Sequence, residues 1–184
     1  PKANNPRLVK TLQGASIEEL TAGEVVPSAQ GVRKISGSVL YGYKSEGVFA
    51  YLGRYHQQVS LIEEGNKNEF FLFNWMGLGL SRHSVTPTVL SSLFKPSAYT
   101  FNTALNGGPR PILPIGAYER VMPPDFEATM LIRAIDMNDV EQAKLLGILE
   151  LGEEDVALCT YVCPGKTDYA PLLRRSLDKI ELEG

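Results

Sequence analysis

Charge and glycine are spread unevenly along this chain, and that unevenness is the best evidence that it folds as two units. Residues 1–111 carry 11 basic and 7 acidic side chains, net +4, while residues 112–184 carry 7 basic and 14 acidic, net −7; together they give the −3 of the whole. The first stretch also holds 12 of the 17 glycines and no aspartate. The turn cluster Asn106-Gly107-Gly108-Pro109-Arg110-Pro111 marks the seam. A length of 184 residues fits one large domain or two small ones. A net charge of −3 argues against a non-specific nucleic-acid binder, which needs a basic surplus. The acidic surplus of the second stretch reads as a solvated helical surface. At 43% apolar and 21% charged residues the composition is that of a globular protein, not a disordered one.

The chain opens on Pro1 without an initiator Met, as an excised or processed piece would, and shows no secretory signal pattern. Its longest uncharged aromatic run, FFLFNWMGLGLS from Phe70 to Ser81, is shorter than the ~18 residues of a membrane-spanning helix. It reads as a buried strand followed by a turn.

The first unit reads as a small mixed sheet with one or two short helices. Strands are expected at Arg7–Leu12, Lys34–Tyr43, Val48–Leu52, Gln58–Ile62 and Phe70–Trp75, where β-formers gather between turn residues. Ser16-Ile17-Glu18-Glu19 has the spacing of a helix N-terminal capping box. Thr86–Phe94 suggests a helical turn, with Pro87 in its first position. The second unit changes period at Asp125. Phe126, Met130, Leu131, Ala134 and Ile135 recur at helical spacing. A second helix runs about Asp139–Leu146, with Asn138 as expected N-cap and Gly147 as stop. A third begins near the acidic Glu153-Glu154-Asp155, and a fourth spans about Tyr169–Leu182 with Leu172, Leu173, Leu177 and Ile180 as its apolar stripe. The fold class is therefore α+β.

Catalytic constellations are sparse. His56 and His83 are the only histidines, which excludes a His-rich metal site. Arg54-Tyr55-His56 could line an anionic or aromatic ligand site, although a plain strand end fits the same residues. His83 beside Arg82 could serve as a base, but no aspartate is available in this unit to orient it. Gly77-Leu78-Gly79-Leu80-Ser81 lacks the ending of a phosphate loop. Tyr51, Tyr55, Phe71, Phe73 and Trp75 could form an aromatic pocket or an ordinary core.

The sharpest motif is Cys159-Thr160-Tyr161-Val162-Cys163-Pro164, the last half of the C-x2-C-x2-C-x3-C-P run of a bacterial ferredoxin. The two earlier cluster positions fall on Val156 and Glu153, and an upstream run would end at Met122-Pro123. Two thiolates alone cannot hold a four-iron cluster. The helical unit thus reads as a two-cluster ferredoxin-like domain without its ligands, and Cys159 and Cys163 as small buried apolar residues.

Several segments together resemble a known family: Arg33–Leu40 (RKISGSVL), Ala50–Ser60 (AYLGRYHQQVS), Pro114–Pro123 (PIGAYERVMP), Glu153–Lys166 (EEDVALCTYVCPGK), Pro6–Thr11 and Pro171–Arg174. The chain is similar in these to the A-subunit family of the bacterial Na+-translocating NADH:quinone oxidoreductases. That resemblance implies a C-terminal fragment of a longer subunit. It implies that residues 1–111 are a soluble-ligand-binding β-grasp-like module and residues 112–184 a helical ferredoxin-like module lacking cluster ligands. The implied role is that of a peripheral, cofactor-free part of the complex on the cytoplasmic face of the inner membrane. Its partners would be the other subunits, chiefly a membrane subunit, with ubiquinone as substrate. FAD, FMN, the iron centres and NADH would belong to other subunits. No catalytic, cofactor-binding or metal residue carries over, and the quinone-binding residues stay unknown. A stand-alone ligand-binding β-grasp module and a residual redox element at Cys159 and Cys163 stay open as alternatives.

Overall fold

A computed structural model describes residues 2–28, 31–65, 83, 85, 93–94, 97, 99, 101–105 and 108–183. The backbone divides into two compact units, Pro1–Asn106 and Gly107–Gly184. The expected strand at Phe70–Trp75 lies outside the described residues, as does most of Thr86–Phe94.

In the first unit, helix α1 (Ile17–Leu20) starts where the capping pattern places it, with the Glu19 N–H donating to Ser16 Oγ at 3.4 Å. Strands β1 (Val32–Ser36), β2 (Tyr43–Lys44) and β3 (Val59–Glu63) form an antiparallel sheet in the order β2-β1-β3. Ile35 faces Ser60 on one side and Lys44 on the other. Leu61 and Ile62 point to opposite faces and both are buried, so β3 is covered on both sides.

Three expected strands come out differently. Lys34–Tyr43 is not one strand but a tight hairpin. Gly37 takes φ +96, which ends β1, and the Gly42 N–H closes the turn on Ser38 O at 2.9 Å. Val48–Leu52 begins as a 3-10 turn, Gly47–Phe49, because Gly47 enters with φ +55. Arg7–Leu12 has no regular structure: Leu8 and Leu12 are fully or almost fully exposed, and Arg7 instead reaches Glu24 at 2.7 Å.

The second unit is helical: α2 (Ala128–Met137), α3 (Val140–Leu145), α4 (Ala157–Val162) and α5 (Tyr169–Glu183), with a 3-10 turn at Ile148–Glu150. Helix α2 buries Leu131, Ile132, Ala134 and Ile135, whereas Met130, expected on that stripe, is half exposed. Asn138 caps the end of α2, not the start of α3. It sits in the left-handed region at φ 56, and Asp139 is the true N-cap of α3, accepting from the Gln142 N–H at 3.1 Å. The acidic Glu153–Asp155 stretch is a turn before α4 rather than its first turn, with the Gly152 N–H held by Asp155 at 2.9 Å. Leu173 and Ile180 of α5 are buried and Leu172 and Leu177 partly so, as the stripe required. Ser176 joins them with its hydroxyl buried and without a hydrogen-bond partner among the described residues. Most of the buried apolar side chains among the described residues belong to this unit.

Replacing Asp139 by Ala should cost about 1 kcal/mol of stability in urea titration, the usual loss of a side-chain N-cap. Gly147→Ala should cost more. Gly147 has φ +93 and an added Cβ would stand 2.7 Å from the Phe126 ring.

Candidate functional site

The strongest concentration of polar chemistry lies inside the helical core. Tyr118, Cys163 and Tyr169 are fully buried. Tyr118 Oη lies 2.9 Å from Tyr169 Oη, and the two hydroxyls lie 3.3 and 3.2 Å from Cys163 Sγ. Three contacts meet three hydrogens, so the neutral thiol closes a complete ring of donors and acceptors. The Tyr118 and Tyr169 rings meet edge to face at 5.9 Å. Three chain segments are tied here: the turn before α2, the C-cap of α4 and the first residue of α5.

Burial pushes the Cys163 thiol up. Hydrogen bonds that Tyr118 and Tyr169, and the backbone at Thr167 and Gly165, offer to the thiolate outweigh it and hold the group below the ordinary thiol range. The same burial drives both tyrosine hydroxyls well above theirs. Among the described residues Cys159 has no such donors. Burial first, then repulsion from the Glu119 carboxylate and from Cys163 once it is ionised, push it up to about 11. Both cysteines are free thiols.

The positions that a ferredoxin run would give to cysteine fall in two places. Val156 and Met122 sit in the same apolar core as Cys159 and Cys163. Glu153 instead turns to Arg174, whose Nε lies 2.6 Å from it. Among the described residues no three His, Cys, Asp or Glu side chains gather closely enough to hold a metal ion.

In the first unit the stretch Arg54-Tyr55-His56 splits. Arg54 and Tyr55 are exposed, and His56 turns partly inward. His56 Nδ1 lies 2.8 Å from Ser36 Oγ, which also accepts the Gly53 N–H at 2.9 Å. Tyr43 and Tyr41 flank the imidazole at 5.2 and 6.2 Å between ring centroids, and Phe49 lies 5.8 Å from Tyr43. Tyr51 is 58% exposed and Tyr55 88%. Phe71, Phe73, Trp75, Arg82 and Gly77–Ser81 lie outside the described residues. His83 is exposed and meets Tyr99 edge-on at 5.1 Å. Sequence reading picked out His56 but not Ser36, Tyr41 or Tyr43. The available signal was the recurrence of Gly37, Gly42 and Gly53 around aromatic residues, since glycine inside a strand pattern marks close approach.

An open depression of about 330 Å3 lies beside β1 and β2, lined by Arg33, Lys34, Lys44 and Glu64 among others. Its cations are already paired: Arg33 with Glu64, Lys34 with Glu18 and Lys44 with Glu46. Each of these cations thus already faces a carboxylate.

The raised Cys159 pKa makes stability pH-dependent. Between about pH 9 and 11 the unfolded chain has lost this proton and the folded chain has kept it. The unfolded state then binds fewer protons, so stability falls as pH rises through that window, by on the order of 2–3 kcal/mol. Urea midpoints at pH 8 and pH 10.5 should drop less in Cys159→Ala than in the parent, since both share the tyrosine contribution. Equal drops would show that Cys159 is not held as a neutral thiol.

Residues 1–47 match the family described as "NQRA C-terminal domain". The whole chain is 54% identical to the A subunit of the Na(+)-translocating NADH-quinone reductase of Vibrio atlanticus (strain LGP32). It is 53% identical to the same subunit from Pasteurella multocida (strain Pm70). Over 183 residues it is 50% identical to that of Neisseria meningitidis serogroup B. In each case all of this chain is covered and 40% of the relative. The kinship drawn from the motifs thus extends over the full chain, which is related to the A subunit of the Na+-translocating NADH–quinone reductases and spans about two-fifths of its length.

Proposed function

We propose that this chain is a cofactor-free part of the A subunit of the Na+-translocating NADH:quinone oxidoreductase, the complex that couples NADH oxidation and ubiquinone reduction to Na+ export. It docks the complex and contributes to quinone interaction. The observation that carries this reading is the identity of about half of all positions, over the whole length of this chain, to the A subunit of that complex. FAD, FMN, the iron centres and the NADH site belong to other subunits. The chain is peripheral, on the cytoplasmic face of the bacterial inner membrane, with a membrane subunit as its chief partner. Among the described residues no helix is long and apolar enough to cross a membrane.

The two units take different parts in this reading. The first is a soluble-ligand-binding β-grasp-like module (residues 1–111). The second (residues 112–184) is a ferredoxin-like helical module whose cluster space is filled. Support for that filling comes from the core itself. Met122, Val156, Cys159 and Cys163 share one apolar cluster with Tyr118 and Tyr169. Apolar side chains and two tyrosine rings close-pack the region, which suits a structural role. Cys159 then acts as a packing group and Cys163 as a member of the buried hydrogen-bonded ring, and neither carries electrons.

A chimera tests the assignment. The matching two-fifths of the Pasteurella multocida protein would be replaced by this chain in the complete complex. Assembly and Na+-dependent quinone reduction within severalfold of the parent are expected. A chimera that folds but fails to join the complex would overturn the docking role. In the same background, replacing both Cys159 and Cys163 by Ala should leave turnover per assembled complex unchanged. A loss of turnover with assembly intact would instead assign the thiols a redox part.

A further inference from the structure

The first unit holds a histidine that its surroundings have prepared for a single hydrogen bond. Ser36 is 1% exposed, so its hydroxyl hydrogen must find an acceptor inside the protein. Its oxygen already receives the Gly53 N–H, and the acceptor given to it among the described residues is His56 Nδ1. Ser36 therefore donates to Nδ1, and the proton of the neutral imidazole sits on Nε2. In an imidazole Nε2 lies across the ring from Nδ1, so it points away from Ser36.

Glycine makes this seat. A Cβ on Gly53 would stand 2.7 Å from Nδ1, and one on Gly37 would stand 3.2 Å from Cδ2 and Cε1. The imidazole is thus fixed from its inner edge and from one side. Tyr43 and Tyr41 border it, 54% and 45% exposed. Their planes are tilted 40° and 52° to the imidazole, and Phe49 continues the surface at a 36° tilt to Tyr43.

We propose that His56, Tyr41 and Tyr43 form a binding site for a planar ring bearing a neutral carbonyl oxygen. The ring rests on the tyrosines and the oxygen accepts the Nε2–H. A face that served only apolar docking would need the aromatics but not a donor with a fixed tautomer. The choice of a neutral acceptor follows from the site's own chemistry. The donor is a ring N–H whose tautomer Ser36 sets, and the electron-rich faces of the tyrosines disfavour an anion lying against them. A quinone head group is the member of this ligand class that the proposed function calls for. The inference therefore rests on that reading and gives its quinone contribution named residues.

The test uses the 184-residue chain with its histidines labelled by 15N. Ubiquinone-1 is titrated while the imidazole nitrogens are followed by NMR, with His83 as internal reference. Saturable movement of the His56 Nε2 resonance, with His83 unmoved, is expected. His56→Phe should weaken binding about fivefold, the loss of one hydrogen bond. His56→Gln, which keeps an N–H donor, should recover part of it. Ser36→Ala should change the His56 nitrogen shifts toward a tautomer mixture and weaken binding, which marks Ser36 as a positioning residue. p-Xylene, a ring without an acceptor, should bind more weakly than ubiquinone-1.

Saturable binding that leaves the His56 resonances in place overturns this site while the quinone contribution of the chain stands. Equal binding of p-xylene overturns the hydrogen-bond role and with it the proposal. Absence of saturable binding removes both the site and the quinone contribution, without touching the docking role tested by the chimera. Should His56→Phe unfold, the parent titration and His56→Gln still decide the outcome.

Discussion

The helical unit hangs on one buried ring of three polar groups. Tyr118, Cys163 and Tyr169 come from three separate stretches of chain, and each satisfies the other two where no water reaches. A buried hydroxyl without a partner is costly, and low polarity strengthens each bond that is made. The ring therefore does more than fill space. It fixes which turn lies over the end of α4 and where α5 begins. The chain after Cys163 tightens the same knot. Gly165 lies so close to Arg110 that a Cβ would stand 2.4 Å from its carbonyl oxygen, and the Arg110 N–H returns a bond to Gly165 O at 3.3 Å.

The first unit is built on a different economy of parts. Its described core is small, with Ile17, Ile35, Leu61 and Ile62 as the buried aliphatic groups. Close backbone approach takes the place of bulk. Gly42 packs so near Ser36 and Ser38 that no side chain fits there, and Ser60 ties the same corner by donating to Gly37 O at 2.8 Å. Around that corner the aromatic side chains face outward, in contrast to the helical unit, where the aromatic rings are the centre of the core.

What could be read from the amino-acid order was mostly local. The Ser16 cap, strand β3 and the long helix α5 each depend on residues within a turn or two of one another, and they stand near where they were expected. The mixed α+β character was equally legible. The hairpin after Ser36 was obscured because β-formers on both sides of Gly37 and Gly42 mimic one strand, although both glycines carried the signal. Asn138 misled for a related reason: asparagine suits both an N-cap and a left-handed C-cap, and the next residue, Asp139, took the first role. The site residues were harder. His56 stood out as one of two histidines, but its partner Ser36 is 20 positions away. The Tyr118–Tyr169 pair is 51 positions apart, and nothing in either neighbourhood announces it. Pairings of that range are set by tertiary packing, which no local pattern encodes.

The junction of α2 and α3 shows how little slack the helical unit has. Asn138 ends one helix and Asp139 starts the next, so two residues make the whole connection. At 3.6 residues per turn, inserting or deleting one residue there would turn α3 by roughly 100° relative to its present seat. A deletion would carry the exposed Glu141 into the buried seat of Val140, and an insertion would carry the exposed Gln142 into that of Ala143. The spacing of this corner is thus under a tighter physical constraint than the identity of its exposed side chains.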